Sequence, residues 1–280
     1  PCPLAPTGAA APVDGGYRLT GRWQWATGVM HADWVMVNAL VASEEGGPPQ
    51  ARFCLAPIGD VAVDDVWHTS GMRGTGSNDV VADDIFVPDH LTMAAGDLRG
   101  EDGVPGAALH PEPFVSYPMT PVLVMVACSP ALGGAEAAVA EFAEVVGTRV
   151  MPYTLGARQV EEQAAQIRLA ESLAAVRAAR LVWRDAIDRI VDAYDNDRPL
   201  SAAERGGIRL AAAHVVKLSR EAVTSSCEGV GASTSFLDHP LPRIQRDLET
   251  IKGHVVYDWD RAAQLAGKLE LGLEPGPTDM

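Results

Sequence analysis

The side chains best suited to chemistry fall in four short blocks. The first is Gly21-Arg-Trp23-Gln-Trp25-Ala-Thr27-Gly28, where two indoles are followed at once by a hydroxyl and by a residue with no side chain. Gly15 and Gly16 supply a tight turn ahead of it, and odd-numbered Tyr17, Leu19, Trp23 and Trp25 share one face if the segment is a strand. The pattern sets a flat apolar wall beside Thr27 and an approachable backbone at Gly28, a seat for a planar ligand. Taken alone, the same residues also make an aromatic-rich strand of a sandwich. The second block, Gly71-Met-Arg73-Gly-Thr75-Gly-Ser77-Asn-Asp79, reads as a glycine-rich hairpin, whose amides and Arg73 suit a bound cofactor edge. The third runs from Arg149 through Gly156 and Gln163 to Leu169-Ala-Glu171; a planar, permanently charged Arg149 suits a phosphate, and equally an ordinary helix start at the surface. The fourth is His239-Pro-Leu-Pro-Arg243-Ile-Gln-Arg246-Asp247, followed by His254. Imidazoles titrate near neutrality and are the proton carriers of this block.

Other chemistries are excluded. GxSxG, HExxH and P-loop patterns are missing, and Gly229-Val-Gly231 follows a helical segment instead of a strand. Cys2, Cys54, Cys128 and Cys227 are scattered, with no CxxC and no neighbouring His pair, so neither a metal site nor a disulfide framework is indicated. Chemistry must come from a bound cofactor. With 22 Lys and Arg against 37 Asp and Glu, a formal charge of −15 repels nucleic acid and anionic membranes. The longest apolar run, Pro121 to Leu132, is interrupted by Ser129 and Pro130 and is too short to span a bilayer, so a cytoplasmic protein is expected.

The blocks must be positioned by two kinds of element. Residues 1–105 read as a β domain, with strands such as Trp34–Ala42, Ala51–Leu55 and Val80–Val87 between Gly, Pro and Asp clusters. A Gly-, Pro- and acid-rich linker over 99–114 follows, and residues 112–280 form a helical domain. Apolar residues recur at three and four from Pro130 to Gly147, Ala157 to Asp195, Ser201 to Gly229 and Pro240 to Leu271. Ser201 and Glu204 form a capping box after the Asp197-Arg198-Pro199 break. The fold class is α+β: a β-sandwich or barrel-like domain, then an antiparallel four-helix bundle. Apolar faces along Val160–Val191 predict a homo-oligomer.

Block one, GRWQWATG with HADW after it, resembles the flavin-seating strand of the acyl-CoA dehydrogenase superfamily, in particular its two-component, group D flavin monooxygenases that hydroxylate phenols. The G-x-R-G-T-G-S-x-D-V of block two, the Gly-to-Gln-to-Leu spacing of block three and the H-P-x-x-R-x-x-R-D of block four are similar to segments of the same group. The resemblance implies an oxygenase component that takes reduced flavin (FMNH2 or FADH2) from a separate reductase. O2 then forms a C4a-hydroperoxide, and an aromatic, phenolic or polyketide-like small molecule is hydroxylated. It implies Trp25, Thr27 and Gly28 at the ring, with Thr27 at N5. Arg73, Thr75 and Ser77 belong at the pocket edge, Arg149 and Gln163 at the nucleotide end, and His239 and His254 at the substrate. Thr27 and His254 are the residues it marks as catalytic. It further implies a tetramer and a helical domain ahead of residue 1 that this chain lacks. Two departures matter: Arg149 lies three residues further from Gly156 than in the dehydrogenases, and the position of their catalytic glutamate falls at Val255. Without that carboxylate an acyl-CoA dehydrogenase is the weaker alternative. An idle scaffold or partner subunit of the same fold is another.

Overall fold

The structure is a computed structural model and describes residues 1–43, 46–99, 106, 109–110, 112, 115 and 117–275. Most of the expected linker over 99–114 lies outside the described residues. The chain divides into two compact units, Pro1–Thr69 with Arg73–Ser116, and Ser70–Met72 with Tyr117–Met280.

The first unit is one seven-stranded sheet: β1 (Gly8–Val13), β2 (Gly16–Ala26), β3 (Trp34–Val41), β4 (Gln50–Pro57), β5 (Ala62–Asp64), β6 (Asn78–Pro88) and β7 (Thr92–Ala94). The order is β5-β6-β2-β1-β3-β4-β7. Every pairing is antiparallel except β1 with β3. β4 and β6 approach one another although β2, β1 and β3 lie between them in the order, so the sheet curls around its core. Asp14-Gly15 forms the two-residue turn between β1 and β2, with Gly15 at φ 74°. Gly16 serves differently from the turn role its sequence suggests. It is buried in β2, where a Cβ would lie 2.3 Å from the Val87 carbonyl oxygen. Leu19, Trp23, Val35, Val37, Val80 and Val87 fill the core. Trp23 is fully buried and donates its indole N–H to the Asn38 carbonyl at 2.6 Å. Its ring fits because Gly8 carries no Cβ, which would come within 2.1 Å of it.

The second unit is helical: α1 (Met119–Thr148), α2 (Gln163–Asp195), α3 (Ala202–Val230), α4 (Pro240–Ile251) and α5 (Trp259–Glu270). The architecture is α+β, as the order of patterns predicts. Three helix limits differ from the sequence expectation. α1 begins at Met119, well ahead of Pro130, and is long and apolar enough to cross a membrane, beyond the short run the sequence marks. Here Val124, Met125, Ala131, Ala135 and Phe142 of α1 sit in the bundle core. Pro130 leaves the Val126 carbonyl without its usual amide, and the Ser129 hydroxyl donates to it at 2.7 Å. Neighbouring carbonyls also take side-chain donors: Met125 from the Trp183 indole at 3.0 Å and Val124 from the Tyr257 hydroxyl at 3.2 Å. α2 starts at Gln163 because Met151–Glu162 is spent on turns and a short 3-10 segment. The single helix expected from Pro240 is two, broken over 252–258. The capping box is present, with the Ser201 hydroxyl accepting from the Glu204 amide and the Glu204 carboxylate accepting from the Ser201 amide.

Candidate functional site

In the sheet unit the candidate residues gather where β2 ends. The register between β2 and β6 slips between Trp23 and Ala26, so one extra residue is accommodated on β2. Trp25 is that residue, at φ 64°. The bulge corrects the expectation that both indoles share a face: Trp23 turns into the core, while Trp25 is 65% exposed. Two residues on, the Thr27 amide donates to the Trp25 carbonyl and the Gly28 amide to the Thr75 carbonyl, both at 2.9 Å. These bonds tie the end of β2 to the glycine-rich loop. Thr27 Oγ1 lies 2.8 Å from Ser77 Oγ, which lies 2.7 Å from Thr75 Oγ1. Thr27 is exposed, Thr75 half-buried and Ser77 buried. Gly28, at φ 79°, has open space where a side chain would be. Arg73 is exposed in the 3-10 turn Arg73–Thr75.

Three supporting groups were not singled out in the sequence. Asn78 Oδ1 accepts from the amides of Val66 and Trp67, both at 2.9 Å, and holds that segment against the start of β6. Buried Asp79 accepts from Arg22 at 2.8 Å, and Arg22 also reaches Asp64 at 2.6 Å. Met30, 58% exposed, adds an apolar side chain beside Gly76. The Ser-Asn-Asp run was the available signal, but its side-chain directions depend on the sheet register. An exposed indole, an exposed hydroxyl and an open glycine backbone fit a flat ring system with a polar edge, which is the chemistry of an isoalloxazine.

In the helical unit the polar candidates are mostly engaged by the fold. Arg149 follows α1 and donates to the Val230 carbonyl at the end of α3 and to Ser233 Oγ, the latter at 2.9 Å. A cation at a helix C-terminus meets the orphan carbonyls and the negative end of the dipole. Gln163 is exposed in the first turn of α2. The glutamine that reaches inward is Gln159, which the spacing argument passed over. Its amide nitrogen donates to the Gly229 carbonyl at 2.8 Å, and its buried oxygen has no hydrogen-bond partner among the described residues.

His239 caps α4, its Nδ1 accepting from the Leu241 amide at 3.3 Å. Asp247 Oδ1 accepts from the Met72 amide at 2.5 Å, and Gly71 packs so closely on α4 that a Cβ would lie 2.0 Å from the Arg246 carbonyl oxygen. His254 is not two turns along the same helix as Asp247, as its spacing suggests. α4 stops at Ile251, and His254 sits in the following turn, its amide donating to the Ile251 carbonyl at 3.0 Å. Its Nδ1 accepts from the Val256 amide at 3.3 Å, which leaves the proton of the neutral ring on Nε2. The residue is exposed by surface area, yet surrounding protein still desolvates the ring and lowers its pKa from 6.5. The turn is held by Arg209, which donates to the Val255 carbonyl at 3.1 Å, and by buried Tyr257. Val255 supplies no carboxylate, and nearby Glu249 is paired with Lys252 and Arg220. The free thiols of Cys54, Cys128 and Cys227 are buried, with pKa values pushed up to about 11, 12 and 11, so they stay protonated and unreactive. No cluster of metal-ligating side chains occurs among the described residues.

Residues 125–259 match the family described as Acyl-CoA dehydrogenase, C-terminal domain. The chain is 36% identical over 272 residues to a pigment production hydroxylase of Rhodococcus sp., covering 96% of this chain and 68% of that protein. It is 31% identical to the oxygenase component of an FADH(2)-dependent resorcinol hydroxylase of Rhizobium sp., covering 97% and 68% respectively. Among solved structures, XiaF from Streptomyces sp., in complex with FADH2 and glycerol, superposes with a TM-score of 0.89 at 30% identity, covering 98% of this chain and 69% of that one.

Proposed function

The chain belongs to the oxygenase components of two-component flavin-dependent monooxygenases, within the acyl-CoA dehydrogenase superfamily, and on that premise we propose that it hydroxylates a phenolic or related aromatic small molecule using reduced flavin and O2. When bound, the flavin supplies the two electrons with which one oxygen atom enters an aromatic C–H bond and the other leaves as water. The observation that carries the reading is the end of β2, where exposed Trp25 and exposed Thr27 stand side by side. Trp25 walls the ring face, Thr27 and Gly28 meet its polar edge, and Arg73 lies at the rim. His254 presents Nε2–H as a hydrogen-bond donor toward substrate or oxygen, and desolvation keeps the ring neutral to below the usual imidazole range. His239 gives its Nδ1 to the helix cap at the start of α4 and keeps Nε2 for substrate, the same arrangement as in His254.

Arg149 and Gln163 were expected at the nucleotide end of the flavin. In this reading Gln163 is free to serve there, whereas Arg149 acts first as a cap on α3. A flavin reductase supplies the reduced cofactor, a supply that favours a cytoplasmic setting. The exposed Ile167, Leu173 and Leu181 on α2 support a homotetramer built through that helix. Supplying the protein with FMNH2 or FADH2 under O2 and a small panel of phenols tests the function: hydroxylated product is expected. Flavin reoxidation that yields only H2O2 with every phenol overturns the reading. Light scattering at micromolar concentration tests the assembly, and a monomer contradicts it.

A further inference from the structure

His254 is exposed in the turn after α4, and two contacts hold its ring. One is the bond from the Val256 amide to Nδ1, which at 3.3 Å is long for an N–H donor. The other is the phenol ring of Tyr257, whose centroid lies 5.5 Å from that of the imidazole with the planes 40° apart. That separation is within the reach of interacting aromatic pairs. The last torsion of a histidine is broad and roughly two-fold, so a ring held by one long bond has two orientations open to it. Turning the ring over exchanges nitrogen for carbon on both sides and moves the Nε2–H. A neighbouring ring face is what selects one of them.

Tyr257 is fixed from two directions. Its amide donates to the His254 carbonyl at 2.8 Å, which closes the turn, and its hydroxyl donates to the Val124 carbonyl of α1 at 3.2 Å. Burial raises the pKa of the phenol above its ordinary 10, so the hydroxyl stays protonated and remains a donor. The side chain is 5% exposed and packs in the same core cluster as Val124. The face beside His254 is therefore anchored in the helical bundle and not only in its own turn. We propose that Tyr257 is a positioning residue for His254: its ring, tied to α1, selects the imidazole orientation that presents Nε2–H to substrate or oxygen. The proposal rests on the role given to His254 in the functional reading above.

The test is a graded series in the full chain, Tyr257→Phe and Tyr257→Leu, each alone and with His254→Ala, assayed with reduced flavin, O2 and the phenol panel. Tyr257→Phe keeps the ring and loses its anchor, and is expected to lower product formation by about two- to tenfold, the range of one net hydrogen bond. Tyr257→Leu removes the ring as well and is expected to lower it by up to about 10²-fold, as for a reacting group misplaced by about 1 Å. Peroxide should replace the lost product while reduced-flavin affinity holds, and neither change should lower the rate further once His254 is replaced by alanine. Crystal structures give a readout independent of turnover, with His254 in one conformer in the parent and in more than one in Tyr257→Leu. Losses that persist in the His254→Ala background, or flavin affinity that falls in step with product, make Tyr257 a packing residue and overturn the proposal. Unchanged product formation in Tyr257→Leu overturns it as well. If the parent hydroxylates no phenol, the functional reading fails and the crystal structures alone decide, an unmoved His254 ring in Tyr257→Leu counting against the proposal. Should Tyr257→Leu fail to fold, Tyr257→Phe carries the same cycle with His254→Ala.

Discussion

The end of β2 in the sheet unit and the end of α3 in the helical unit carry similar numbers of polar side chains and use them in opposite ways. At the end of α3, Arg149 and Gln159 are spent on the Val230 and Gly229 carbonyls, and at the start of α4 His239 is spent on an amide. A helix leaves orphan groups at each end, and nearby side chains are drawn to them. At the end of β2 the backbone satisfies itself through a bulge and the bonds among Trp25, Thr27, Gly28 and Thr75. Trp25 and Thr27 are left exposed, with the Thr27 hydroxyl bonded to Ser77 and not to the backbone. The difference teaches that a helix terminus consumes polar side chains, whereas a bulged strand end can display them. It also explains why the motif residues of the sheet unit are the better candidates for ligand contact.

The largest expected effect is at His254, which lies in a turn and gives only its Nδ1 to the backbone. His254→Ala is expected to lower the rate of product formation by about 10²- to 10⁴-fold, as for loss of a positioned proton-handling group, while oxygen consumption persists as H2O2. Product and peroxide assays check it; full coupling in the variant makes His254 a packing residue. In the parent, the acid limb of the pH–rate profile should lie below 6.5, because burial disfavours the imidazolium. The two indoles sharpen the comparison within one strand. Trp23→Ala is expected to cost about 3–5 kcal/mol of stability, as for a buried aromatic, measured by denaturant titration. Next in size, Arg149→Met should cost about 2 kcal/mol by removing charged hydrogen bonds from the end of α3. An unchanged denaturation midpoint with lost flavin affinity would instead make Arg149 a cofactor contact.

Trp25→Gly should separate the two roles most cleanly. It relieves a left-handed backbone, so stability holds or rises by roughly 1 kcal/mol, while flavin affinity falls. A drop in both breaks the distinction between the two ends. The smallest effect is electrostatic. The Glu204 carboxyl, held by Arg198 first and then by the Ser201 amide and hydroxyl, has its pKa lowered from 4.5 to about 2. Since the folded value is the lower one, its contribution is complete above about pH 4.5 and disappears as pH falls toward 2. Glu204→Gln should therefore flatten that part of the acid unfolding curve.

Sequence by itself determined the strands-then-helices order, the capping box at Ser201, the acidic charge and the absence of a dehydrogenase glutamate at Val255. Each of these is local: periodicity, cap spacing and residue identity act within a few positions of the chain. It also picked out Thr27, Ser77 and His254, through motif spacing. Tertiary structure alone decided what those residues face. A one-residue slip of β2 against β6 reversed the side of Trp25, because side chains on a strand alternate and a single insertion flips all that follow. Residues 50 positions apart, Thr27 and Ser77, became hydrogen-bonded through sheet pairing that no local pattern encodes. Gln159 rather than Gln163 turned inward because Gln159 precedes α2 in a 3-10 turn packed on the end of α3, where the Gly229 carbonyl needed a donor. The break after Ile251, which moved His254 off the helix, is held by Tyr257 and Arg209, whose bonds to the Val124 and Val255 carbonyls span 133 and 46 positions. Long-range pairing fixes which side chains are spent on the fold, and the remainder are those a ligand can meet.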